Sequence, residues 1–149
     1  MNTQQPWHKE YSIETRASAE VLWSLFRDVS GWKHWNAGIE SIELDGPFAD
    51  GTWFTMKPPG QEALRSQLVE VRQNEGFVDE TRMGDLVIQV AHRIQRIGPG
   101  RTRVVYSVEA SGTDAPEIGA AISSDFPEVL AALAAHAERS EERRVGKEC

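Results

Sequence analysis

The stretch LVIQVAHRIQRIGPGRTRVVYSVEA, Leu86 to Ala110, decides the fold. Apolar and polar residues alternate on both sides of Gly98-Pro99-Gly100, which predicts strands over Leu86 to Ile97 and Thr102 to Ala110 joined by a tight turn. So short a connection makes the pair antiparallel, since a parallel crossover needs a dozen or more residues. Leu86, Ile88, Val90, His92 and Ile94 fall on one face of the first strand, and Val104, Tyr106 and Val108 on one face of the second. Pairing through the turn brings the Tyr106 hydroxyl near His92.

Toward the N-terminus the same period of two continues, broken by Asp45-Gly46-Pro47, Pro58-Pro59-Gly60, Asn74-Glu75-Gly76 and Gly84-Asp85. Strands are predicted over Ile39 to Leu44, Thr52 to Lys57, Leu64 to Arg72 and Phe77 to Met83. His8 to Ala17 also alternates. Ser18 then caps a helix with Glu20 in its first turn and Val21, Leu22, Leu25 and Phe26 as its apolar stripe, ending near Asp28. An aromatic connector, Ser30 to Gly38, carries a turn of helix around Trp32 to Trp35.

Beyond the hairpin, Asp114-Ala115-Pro116-Glu117 and Asp125-Phe126-Pro127-Glu128 each place an acidic cap, a first-turn proline and a Glu that reaches back. Ile118, Ile122, Phe126, Val129, Leu130, Leu133 and Ala137 still form one stripe, which predicts a kinked or two-piece helix whose apolar face covers the sheet.

The chain has 149 residues, a net charge of −7 and one cysteine. This length suits one domain with a sizeable core, and one cysteine excludes an internal disulfide or a thiolate zinc site. An acidic balance with no basic cluster before the tail disfavours nucleic acid. Met1 to Pro6 is polar and the longest apolar run, Val129 to Ala135, is far below the ~20 residues of a membrane span, so a cytoplasmic location without a transmembrane segment is expected.

The ending RSEERRVGKEC, Arg139 to Cys149, loses the apolar period and resembles a translated sequencing adapter. The expectation is one domain over residues 1–138 and a non-native tail over 139–149. Removing the tail's four basic and three acidic residues leaves 12 against 20, a net charge of −8, and removes the cysteine.

ASAEVLWSLFRDVSGWKHWNAGIESIELDGPFADGT, EGFVDETRM, VAHRIQRIGPGRTRVVYSVEASG and FPEVLAALAAHAE together resemble the polyketide cyclase/dehydrase-like branch of the START (SRPBCC) superfamily, over about Trp7 to Glu138. The resemblance implies an α+β helix-grip fold: a curved seven-stranded antiparallel sheet around a long C-terminal helix, with a helical segment after the first strand. It also implies a cavity for a hydrophobic small molecule, and no single chemistry.

Nine of the twelve aromatics lie in the first 54 residues, which concentrates flat apolar surface on one wall; Trp35 and Trp53 are expected at the cavity rim. Asp79 and Thr81 share a face with Phe77 and Met83 and are expected to point inward, where a carboxyl acts as acid or base or binds a cationic group. His92 and Tyr106 add polar groups among Ile88 and Val90, and Phe126 faces them from the C-terminal helix. No metal-binding, phosphate-binding or nucleophile motif occurs. The leading expectation is a domain that binds or carries a lipid-like or polyketide-like molecule without a cofactor. A cofactor-independent cyclase or dehydratase is the alternative, and a co-chaperone-like interaction module the third.

Overall fold

Ser18 separates the first two elements, as its residue type predicts. In the structure, a computed structural model that describes residues 6–148, β1 (Trp7–Thr15) runs into α1 (Ala19–Arg27), and the Ser18 Oγ accepts the Val21 amide at 3.2 Å. The strand stops short of Ala17 because the Thr15 Oγ1 accepts the Ala17 amide and bends the chain. Val21, Leu22 and Phe26 bury the predicted stripe of α1. A 3-10 helix (Val29–His34) follows, and its Trp32 indole donates to the Phe26 carbonyl at 2.9 Å, which satisfies one of the acceptors left open at the end of α1.

Six strands then form a meander: β2 (Ser41–Leu44), β3 (Trp53–Lys57), β4 (Leu64–Arg72), β5 (Gly76–Met83), β6 (Leu86–Gly98) and β7 (Arg101–Ser111). The sheet order is β1-β7-β6-β5-β4-β3-β2, antiparallel throughout, so the first strand closes onto the last. Register shifts between Leu68 and Glu70 and between Arg96 and Gly98 mark bulges, which bend a strand and increase its twist. The sheet curves accordingly.

The two-piece C-terminal helix is present as α2 (Ala115–Ser123) and α3 (Phe126–Glu148). Asp114 is not the expected side-chain cap: its backbone is left-handed at φ 63° and its carboxylate makes no capping bond. Asp85 holds this turn instead, accepting from the Thr113 amide and hydroxyl. Taken as one stretch, Ala115–Arg143 is long and apolar enough to cross a membrane by composition, with a mean hydropathy of 1.3 over its most apolar window. In the fold, Val129, Leu130, Leu133 and Ala137 pack on the sheet side as part of the core.

The core has two clusters. The larger joins Leu22, Phe26, Trp32, Phe77, Val104, Tyr106, Leu130 and Leu133; the smaller joins Leu86, Ile88, Val90, Val108, Ala110 and Ala115 under α2. Truncating a side chain as deeply buried as Phe26 or Leu133 costs about 2–5 kcal/mol. Tyr11 and Phe126 touch both clusters and form the seam.

Past Glu138 the helix continues. Glu138 accepts from the Thr15 hydroxyl at 2.7 Å and Glu141 from the Ser18 amide at 2.8 Å, so α3 grips the β1–α1 turn. The polar residues Met1–Gln5 and the lone thiol of Cys149 lie outside the described residues.

Candidate functional site

Register builds the site. Val71, Phe77, His92, Tyr106 and Tyr11 are successive cross-strand partners on β4, β5, β6, β7 and β1, so one transverse row crosses five strands on the helix-facing side. Phe77 and His92 stack at 4.0 Å between centroids, and His92 meets Tyr106 edge-on at 4.6 Å. Phe26 of α1 caps this group from above, 5.2 Å from Phe77 and 6.0 Å from His92. Phe126 closes the other side, edge-on to Tyr106 and Tyr11. The Tyr11 hydroxyl shares a 2.8 Å hydrogen bond with Ser123, whose hydroxyl also donates to the Gly119 carbonyl.

The backbones of β5 and β6 approach closely beside this row. Gly76 sits at φ +145°, and a Cβ there would meet the His92 carbonyl at 2.0 Å, so only glycine fits. His92 Nδ1 lies 3.3 Å from the Phe77 carbonyl, and burial lowers its pKa to about 3, which leaves the ring neutral at ordinary pH. The residue as a whole is half-buried, and Phe26, Phe77 and Tyr106 surround its ring.

Asp79 and Thr81 occupy the next positions along β5, on the same face as Phe77. Thr81 is spoken for: its hydroxyl pairs with Ser66 at 2.6 Å. Asp79 lies between Leu68 and Val90 in the cross-strand row and takes no hydrogen bond from any described side chain or amide. Burial alone pushes its carboxyl up to about 7. The Tyr106 hydroxyl likewise has no hydrogen-bond partner among the described residues, and its pKa is raised by burial and then by the nearby Asp79.

No fully buried side-chain nitrogen or oxygen among the described residues lacks a partner. Asp79 and the Tyr106 hydroxyl have none among the described residues, so each keeps some accessible surface on the helix-facing side of the sheet. Ile88 and Val90 line the same face, with Ile118, Ile122 and Phe126 packed against them.

Two expected rim residues are placed elsewhere. Trp35 is 6% exposed and packs on Phe26 and Trp32, so it belongs to the core. Trp53 is 42% exposed on the opposite face of the sheet, because its neighbour Phe54 takes the inward position; the Arg65 guanidinium lies 5.4 Å from its ring. Tyr11, Phe26, Trp32 and Ser123 were not expected at the site: cross-strand register brings Tyr11 into the row, and tertiary packing of the helical segments brings Phe26, Trp32 and Ser123 against it. No group of three or more His, Cys, Asp or Glu side chains among the described residues is arranged to hold a metal ion.

The outer face offers a different surface. An open depression of about 870 Å³ lies over β1, β6 and β7, lined by Glu10, Ser12, Glu14, Arg93 and Arg103 among others. Its charges are engaged in ion pairs, Glu14 with Arg103 at 3.4 Å and with neighbouring Arg101 at 2.6 Å, and Arg93 with Glu70 at 2.5 Å, which suits water rather than an apolar molecule.

A seven-stranded antiparallel sheet closed around a long C-terminal helix is the helix-grip architecture of the START superfamily. Residues 6–138 match the family model described as polyketide cyclase / dehydrase and lipid transport, and the chain belongs to that family. The Zhui aromatase/cyclase from Streptomyces sp. R1128 superposes with a TM-score of 0.76 at 15% identity, over 91% of this chain and 95% of that one. A norcoclaurine synthase point mutant from Thalictrum flavum reaches 0.74 at 13% identity, over 94% and 99%. A START superfamily protein from Mycobacterium smegmatis reaches 0.71 at 16%, over 89% and 97%. At these identities the likeness concerns the fold. No curated protein matches the sequence.

Proposed function

We propose that this chain binds a hydrophobic small molecule, lipid-like or polyketide-like, between the inner face of the sheet and helices α2 and α3. The observation that carries this reading is the pair formed by the Asp79 carboxyl and the Tyr106 hydroxyl, neither with a hydrogen-bond partner among the described residues, amid otherwise aromatic and aliphatic side chains. Apolar walls supply affinity through burial, and a few unpaired polar groups fix orientation. Family membership supports the same reading. Native mass spectrometry of the purified protein tests it: a co-purifying apolar molecule is expected, displaced when His92 is replaced by a bulkier Trp. A protein that carries nothing and takes up no apolar probe overturns it.

A second reading rests on one observation, the Asp79 pKa of about 7. A carboxyl poised there exchanges protons readily at neutral pH, as a cofactor-independent cyclase or dehydratase requires. An enclosing wall that holds a folded substrate supplies proximity. On this reading Asp79→Asn abolishes turnover of a polyketide-like substrate while leaving its binding intact.

A further inference from the structure

Every inward-facing ionisable or polar group near the space is an acid, a hydroxyl or a neutral imidazole. Asp79, Thr81, His92 and Tyr106 supply carboxyl, hydroxyl and ring nitrogen, and among the described residues no lysine or arginine joins them. Two cations share that face of the sheet, and both are engaged elsewhere. Lys9 lies on the edge strand in the cross-strand row of Asp79, three strand spacings or roughly 14 Å away, exposed and over the Tyr11 ring. Arg96 sits near the far end of β6, bonded to Glu20 of α1. Among the described residues no cation's field acts on Asp79, whose shift comes from burial.

A partly desolvated carboxylate without a partner is costly, and a ligand that brings a positive hydrogen-bond donor removes that cost. The walls point the same way: Phe26, Phe77, Tyr106 and Phe126 are packed within one continuous aromatic group, and aromatic faces attract cations. A carboxylate or phosphate head would meet Asp79 with like charge and find no counterion. From this geometry we infer that the ligand is an apolar amine, its ammonium paired with Asp79 and flanked by the Tyr106 hydroxyl, and not a molecule with an anionic head. The inference rests on the proposed binding site and specifies its occupant.

Three probes of matched size test it by calorimetric titration of the full chain: phenethylamine, phenethyl alcohol and hydrocinnamic acid. Phenethylamine is expected to bind about tenfold more tightly than the alcohol above pH 7, and the acid more weakly than either. Asp79→Asn is expected to level amine and alcohol while retaining binding of the alcohol. In the wild type the amine preference should grow as pH rises through about 7. The titratable groups on the sheet beside Asp79 are His92 and Tyr106, both uncharged through that range, and α2 and α3 present Ile118, Ile122 and Phe126 to this cluster. Alcohol binding without an amine preference, an amine preference that survives Asp79→Asn, or equal affinity for the acid overturns the amine inference alone. Failure of all three probes overturns it together with the binding site itself.

Discussion

Phe77 and His92 face each other across β5 and β6 with ring planes 9° apart and centroids at 4.0 Å, and the imidazole nitrogen nearest the backbone sits 3.3 Å from the Phe77 carbonyl. Burial keeps His92 neutral down to about pH 3, whereas the unfolded chain charges it below about 6.5. Burial also keeps Asp79, diagonal to it, neutral, in this case by retaining its proton up to about pH 7.

These two groups give opposing pH dependences. The unfolded chain protonates His92 near 6.5, whereas the folded chain refuses the proton until about 3, so stability present above 6.5 is lost as pH falls. Folded Asp79 keeps its proton to about 7 against 3.8 unfolded, so stability present at low pH is lost as pH rises. Between about pH 4 and pH 6.5 the slopes oppose, each up to about 1.4 kcal/mol per pH unit. Urea unfolding across that window should show a nearly flat wild type, a His92→Phe variant whose stability falls with pH, and an Asp79→Asn variant whose stability rises. Parallel slopes in all three would contradict the assignment.

Tyr106→Phe removes a hydroxyl that has no partner among the described residues, so the fold should lose less than about 1 kcal/mol. Ligand affinity should fall about threefold to tenfold, the worth of one hydrogen bond. Thermal melts paired with a binding titration separate the two effects.

Gly119 lets α2 lie flat on Trp7. A methyl group there would come within 2.4 Å of the indole, so Gly119→Ala should destabilise the fold by about 1–3 kcal/mol despite its favourable helix propensity. A changed tryptophan emission together with a lower urea midpoint would confirm the collision; an unchanged midpoint would refute it.

Trp53→Ala leaves the binding site untouched because the ring lies on the outer face. Ligand affinity should stay within about twofold of wild type, and stability should drop by no more than the ~0.5–1 kcal/mol of an exposed cation–π contact. The binding titration decides between this placement and a rim role.

The hairpin of β6 and β7 was legible because alternation on both sides of Gly98-Pro99-Gly100 leaves one pairing, and it placed His92 opposite Tyr106 correctly. The inward direction of Asp79 followed from its parity with Phe77 in the same way. Parity failed at Trp53-Phe54, where either ring suits an inner wall and only burial of Phe54 beside Ser66 settles which one enters. The bond between Tyr11 and Ser123 spans 112 positions with no local signal. Trp35 looked like a loop residue at a cavity mouth, yet the 3-10 helix turns it back onto Phe26.

Because β1 pairs only with β7, the transverse row that ends at Tyr11 cannot close until residues past Tyr106 have left the ribosome. The first strand therefore waits through most of synthesis with an open edge and no partner. Such distant pairing favours slow folding, and the N-terminal strand is the segment most in need of shielding while the rest of the sheet is made.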